Sequence, residues 1–451
     1  MMLTLLFQSF IRSKGVKIGL GFLLAAGLVS LLVGRQFLGR QQRNQREVVA
    51  AQRAELAQLA RIHAKEMGLM LYYAQFALVN DTPPLAGLSI GQRDVNPAIQ
   101  RVTIRGLEAQ KYDADLNNPT NLLLGNIDFS FVLIYLFPLL IIAFCYGTVS
   151  EERENGTWRL VAVQSRGLLS FIGQLFAVRL AVVLGLLALL LGLAVPVLGM
   201  PLDAPFGLFA ATAVGYVLAW FGLCFGVASL HRPSSTNAVL LVTAWLGLLV
   251  VVPAALNQYL LARYPIPEAL ATTVKQRKGY HEKWDQPQAP TVARFFAHYP
   301  QFRHYPLPNT TFNWLWYYAM QQMGDDDSAR EAGELRQKLA QREAASHRLG
   351  QWLPSVHAQL RLSDLARSGL GNQVRFLDET TRFHERLRLY FYPKIFGESP
   401  VQNEPWGQRP VETFADRAPV HVADFLLPPL LFALLFAGLG WLNFRRNLYR
   451  L

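Results

Sequence analysis

Cysteine is nearly absent. Only Cys145 and Cys224 occur in 451 residues, each inside a long apolar run, so they read as small apolar side chains rather than a disulfide. Charge is scarce too, with 16% charged residues against 52% hydrophobic ones. No Gly-x-x-x-x-Gly-Lys-Ser/Thr loop is present, which excludes ATP binding by that device, and no Gly-x-Ser-x-Gly nucleophile elbow is present. His384-Glu385 lacks the second histidine of a zinc-protease helix. His298-Tyr299-Pro300 and His304-Tyr305-Pro306 repeat a tripeptide, and His281, His347, His357 and His384 share their segment. Their spacing matches no zinc pattern, so they are read as packing residues and no metal ligand is assigned. The net charge of +12 raises nucleic acid as a partner, but no basic patch interleaves with stacking aromatics. Arg382, Arg386 and Arg388 alternate with Asp378, Glu379 and Glu385, and anionic lipid headgroups are the simpler partners.

What is present is a set of apolar runs, each long enough to cross a bilayer core. They lie at Val16 to Gly34, Phe129 to Tyr146, Phe176 to Leu198, Phe206 to Leu230, Ala238 to Leu260 and Phe425 to Leu442. Arg12, Lys14 and Lys17 precede the first run, yet no small-residue cleavage site follows it, so it is read as a retained span rather than a signal peptide. Arg445, Arg446 and Arg450 after the last run point to a cytoplasmic C-terminus. An even number of spans then places both termini inside. Arg179 is expected to snorkel from the third span to the inner surface. Pro138, Pro196, Pro253 and Pro428-Pro429 are candidate kinks.

This topology divides the chain into 1–34 with the first span, an extracytoplasmic segment 35–126, spans two to five over 127–262, a second extracytoplasmic segment 263–422, and the last span with a cytoplasmic tail over 423–451. Good helix formers over Gln41 to Leu78 predict a long helix continuing outward from the first span. Asn126 or Asp128 is placed to cap the second. In the second outer segment, Tyr264 to Asn313 is rich in proline and aromatics, without a lasting helical period. Asp325-Asp326-Asp327 reads as the capped start of a helix ended by Pro354, and Asp364 to Tyr392 as a further helical stretch. The fold class expected is an all-α polytopic membrane protein with six spans and two mainly helical insertions.

One polar island interrupts the apolar runs on the inner side. It spans Gly147 to Arg166, inside a cytoplasmic elbow over 147–168. Ser150 is placed to cap a short helix with Glu151, Glu152 and Glu154 at its positive end, flanking Arg153. Asn155-Gly156 breaks it, and Thr157 is placed to cap a second helix carrying Trp158 and Arg159. The physics alone leaves two readings open, a docking surface or a bland interfacial helix.

Asn126 to Leu160 resembles the membrane subunit of ABC-2 type transporters. The matching residues are Asp128-Phe129-Ser130-Phe131-Val132, Pro138-Leu139 and the Glu-x-Glu-x-Gly-Thr core at Glu152, Glu154, Gly156 and Thr157. Leu353-Pro354-Ser355 running into Leu362 to Tyr392 is similar to the outer domain of the branch with large extracytoplasmic insertions. The resemblance implies a bacterial inner-membrane permease without ATPase motifs, paired with a second permease, identical or related. A separate ABC ATPase subunit would bind ATP and Mg and drive export. It implies that Glu151 to Arg159 form the coupling helix, with Glu151, Glu152 and Glu154 facing basic residues of the ATPase and Trp158 filling an apolar pocket. A second class is an ATP-driven machine that passes motion to a periplasmic partner without flux. A third, a membrane enzyme or sensor, would rest on His298 and His304.

Overall fold

The computed structural model describes residues 2–111, 126–158, 167–265, 274–275, 278 and 282–447. Among them, six helices are long and apolar enough to cross a membrane, and the protein is an all-α polytopic membrane protein. The chain opens with an amphipathic helix α1 (Met2–Arg12) and passes at once into α2 (Lys14–Ile62). At 1.5 Å per residue α2 is about 74 Å long, more than twice a hydrocarbon core of about 30 Å. Its second half is rich in Gln, Arg, Glu and Ala, which propagate a helix without an apolar environment. The expected extension therefore forms as far as Ile62. Beyond it the chain turns through α3 (Met67–Tyr73) into a strand, β1 (Phe76–Asn80), rather than staying helical to Leu78.

Asp128 caps the second span, accepting from the backbone of Phe131 at 2.8 Å. A second acceptance, from Ile90 N at 2.8 Å, ties the cap to the preceding segment. The span and its extension form α4 (Phe129–Glu154). There follow α5 (Leu168–Leu198), α6 (Ala204–Ala228) and α7 (Ser234–Arg263). The last span is α12 (Val422–Asn447). α6 and α12 pack backbone to backbone: a Cβ added at Gly222 would meet the Ala433 carbonyl oxygen at 2.7 Å, the close approach that small residues permit in membrane helices.

Two prolines act in the same way. Pro138 follows a π-helical segment, Val132–Leu136, and Pro253 follows another, Gly247–Val251. Each proline removes an N–H, and the carbonyls left over need other donors. Tyr216 Oη donates to Ile134 O at 2.8 Å, Trp245 Nε1 to Tyr135 O at 3.1 Å, and Ser355 Oγ to Leu248 O at 2.5 Å.

The segments on the side opposite the elbow share a three-stranded sheet. β1 pairs antiparallel with β2 (Ile99–Val102) and parallel with β3 (Glu412–Phe414), in the order β2-β1-β3. Helices α8 (Gln288–His298), α9 (Trp314–Gly350), α10 (Pro354–Leu365) and α11 (Leu370–Phe396) complete this part. α8 is a helix in a region where the sequence showed no lasting period. Asp325-Asp326-Asp327 does not start a helix. Asn313 caps α9 instead, accepting from Trp316 N at 2.8 Å, because the apolar run from Trp314 to Met323 is helical and buried. Asp325 lies inside α9 and pairs with the buried Arg388 at 2.8 Å. Pro354 likewise starts α10, where its missing N–H costs nothing, and α9 has already ended at Gly350.

α10 enters the span bundle. Ala358, Leu362, Leu365 and Ala366 belong to the same apolar core as Val132, Phe209 and Leu249 of the spans. His357 Nε2 lies 3.1 Å from the Phe425 carbonyl of α12. Burial pushes its imidazole down to about 4, so the ring is neutral and donates that hydrogen bond.

Candidate functional site

The elbow is built where the apolar face of α4 runs out. After Cys145 the helix loosens into a turn and closes again only over Ser150–Glu154. Ser150 does not cap it: Val149 holds the cap position without a side-chain bond, and Ser150 Oγ turns back to donate to Tyr146 O at 3.4 Å. Gly156 follows at φ +74°, a left-handed backbone that ends a helix and suits glycine. Thr157 Oγ1 then donates to the Glu152 carbonyl at 3.0 Å and touches the Glu152 carboxylate.

Two side chains fasten this short helix to the linker before the fifth span and to its first residue. Arg153 Nη1 donates to His231 O at 3.1 Å. The Glu154 carboxylate accepts from both Ser234 N and Ser234 Oγ at 2.7 Å. Glu154 therefore acts as a cap supplied in trans to the first turn of α7, where a carboxylate also meets the positive end of the helix dipole. Asn237, one turn further along α7, donates to Tyr146 O at 3.4 Å. Asn443 of α12 reaches the same linker, donating to Ser229 O at 2.6 Å. Between the elbow and the linker lies a cavity of about 620 Å³ lined by Arg153, Glu154, Trp158, His231 and Arg232.

The expected site residues separate into two groups. Glu151, Glu154, Asn155, Gly156 and Thr157 are exposed, and Glu152 and Arg153 partly so. Trp158 is only 3% exposed and packs into the span core. Its indole is occupied by this chain and does not stand out as an anchor for a partner's pocket. Arg159, and the second short helix expected after Thr157, lie outside the described residues. Arg179 is partly buried and bonds within the chain. Its Nε donates to Phe144 O at 2.7 Å and Nη1 to Leu175 O at 2.9 Å, and the guanidinium lies 5.0 Å from the Phe10 ring of α1. It thus joins α1, α4 and α5 at the elbow end.

Residues 7–323, well over half of the chain, match the family described as ABC-2 family transporter protein. The chain belongs to that family. It is the membrane component of an ABC transporter, of a family whose members work with an ABC ATPase. Residues 269–414 of this ABC-2 permease match a domain of unknown function, DUF3526. No curated protein and no solved structure matches the chain.

Sequence reasoning missed the other half of the permease's elbow contact: His231, Ser234 and Asn237. The signal was present. Pro233-Ser234-Ser235-Thr236-Asn237 is a run of helix-starting residues, and its partner is a carboxylate 80 positions earlier. The tripeptide histidines do not converge on a shared site. His298 Nδ1 pairs with Asp326 at 3.1 Å, and the His304 ring lies tilted against Tyr305 with ring centroids 4.1 Å apart. Among the described residues neither belongs to a group of ligand atoms close enough to share an ion.

Proposed function

We propose that this chain is the permease subunit of an ATP-driven exporter in a bacterial inner membrane, with both termini cytoplasmic and the elbow as the docking surface of its ATPase. The observation that carries this reading is the double fastening of Glu154 to Ser234 and Arg153 to His231. A partner that moves the elbow moves the start of α7 with it, so a push arriving between the second and third spans reaches the fifth. ATP and Mg belong to the ATPase. A second permease copy or related chain completes the pathway. The first, fifth and sixth spans have little of their apolar windows buried within the chain, at 28%, 11% and 11%, which leaves faces for such a copy and for lipid.

Purification of the chain with its ATPase in sealed vesicles tests the proposal. Glu154→Lys reverses the charge at the Ser234 cap, and Gly156→Pro cannot adopt φ +74°. Both are expected to lower permease-dependent ATPase stimulation and flux at least about tenfold, about 1.4 kcal/mol of coupling, with membrane insertion unchanged. Full coupling in both variants would overturn the role of the elbow.

A second reading, transmission of motion to a periplasmic partner without flux, is favoured by one feature. α2 is a single helix from the elbow end of the bundle into the part carrying β1. ATP-dependent movement of that part without solute transfer in sealed vesicles would select this reading over export.

A further inference from the structure

A cavity of about 480 Å³ lies where α9, α10 and the end of α7 meet. Three ligand-bearing side chains line it. Glu343 and His347 stand at i and i+4 on α9, hence on one face of that helix, and Asp364 projects from α10. One ligand atom from each lies within 4.8 Å of the other two, and His347 Nε2 is 3.5 Å from Asp364 Oδ2. Ligand atoms about 2.1 Å from an ion lie about 3 to 4 Å from one another, so a small inward movement of half-buried side chains completes the set.

The charged groups facing the Glu343 carboxylate are Asp364, His347, Arg375 and Asp416. That carboxylate is accommodated by a glycine: a Cβ added at Gly371 would meet Glu343 Oε1 at 2.0 Å. Asp364 faces Arg361 and His347, each at 3.5 Å, and also interacts with Arg375 and Arg367. Arg361 has an alternative counter-charge in Asp424 at 3.9 Å and lies over the Phe425 ring at 5.0 Å. Arg375, the other cation near Glu343, is engaged with Asp416 at 2.7 Å.

We infer that Glu343, His347 and Asp364 form a binding site for a divalent first-row transition metal, of the class of Zn²⁺. One imidazole and two carboxylates match the mixed nitrogen and oxygen set that such ions accept, and their two negative charges balance the ion's. Asn257 of α7, Gln359 of α10 and Arg342 of α9 line the same cavity. An ion there cross-links α9 to α10 at the point where α10 enters the span bundle. The site stands independently of the elbow's role.

The test uses the full-length chain without a histidine tag, stripped with a chelator in detergent and then titrated with Zn²⁺ or Co²⁺. About one ion per chain is expected to survive desalting, with cobalt giving a visible d–d absorption band. His347→Ala and Asp364→Asn should weaken binding at least about tenfold and remove the band. Glu343→Gln, close in shape, guards against misfolding and should do the same while keeping the elution profile and helix content of the parent. Gly371→Ala, which removes no ligand but displaces the Glu343 carboxylate, should also weaken binding, and His298→Ala should leave it intact. Absence of bound metal in the parent, or binding unchanged in His347→Ala and Glu343→Gln, would overturn the inference and leave the cluster as an ion-pair group of Arg361.

Discussion

The elbow and α10 are both short helices set at the edge of the span bundle, and they are held there by opposite means. The elbow is exposed, ended by a left-handed glycine, and fastened by four polar contacts of Arg153, Glu154 and Asn237 to neighbouring backbone and hydroxyl groups. α10 is buried among α4, α6, α7 and α12, with apolar side chains facing the spans and, among the described residues, hydrogen bonds to them from Ser355 and His357. Exposed polar contacts contribute little net stability and exchange readily with those of a partner. Buried packing contributes much and tolerates little change. The molecule thus keeps a replaceable contact at one end and a fixed one at the other.

The largest effect is expected at Leu362, which is fully buried. Leu362→Ala should cost about 2 to 5 kcal/mol of stability through the cavity it leaves. Glu152→Ala at the elbow should change stability by less than about 0.5 kcal/mol. Equal losses in the two variants, measured as shifts of the detergent-solubilised unfolding transition, would erase the distinction.

His357 provides the next test. Its folded pKa of about 4 lies below the ordinary value of 6.5, so the unfolded chain binds the extra proton over that interval. The stability tied to its neutral form is present above pH 6.5 and is lost as pH falls toward 4, by up to about 3 kcal/mol. Asp364, raised to about 6 from 3.8, acts in the opposite direction between those two values. The difference between the parent and His357→Gln therefore isolates the histidine: the variant should lose less stability on acidification. Elbow variants should follow the parent's pH profile, and a His357→Gln profile identical to the parent's would show that His357 does not set the acid sensitivity.

The smallest effect is expected at Ser355. Ser355→Ala leaves the Leu248 carbonyl of the π-helical segment without its donor, at a cost of about 1 kcal/mol. It should leave the elbow's coupling unchanged. A loss of ATPase stimulation in this variant would show that the two ends communicate through α7.

The spans, the Asp128 cap, the outward run of α2 and the break at Gly156 were legible because each rests on a local pattern: the length of an apolar run, a capping residue, a glycine. What was illegible rests on contacts far apart in the chain. β1 pairs with β3 through Leu78 and Glu412, and no local periodicity encodes a partner more than three hundred positions away. Asp325-Asp326-Asp327 resembled a helix start because acidic residues favour first turns. The buried run after Asn313 carried the helix past them, and Asp325 went to Arg388. Trp158 resembled an exposed anchor because aromatics mark interfaces, and only the folded chain shows its ring buried. At the candidate metal site, Glu343 and His347 were readable as an i, i+4 pair, whereas Asp364 joins them only through the packing of α9 against α10.

One consequence follows from α2 being unbroken from Lys14 to Ile62. A stiff rod turns small rotations into displacement at its end: over the roughly 42 Å from Gly34 to Ile62, a tilt of about 5° carries the distal tip through about 4 Å. Gly34, halfway along, presses on the backbone of Gly87 so closely that an added Cβ would meet its carbonyl oxygen at 2.0 Å. That contact is a natural fulcrum. A rearrangement of a few degrees among the spans is thereby converted into a stroke of side-chain size at the distal end, with the ratio set by chain length alone.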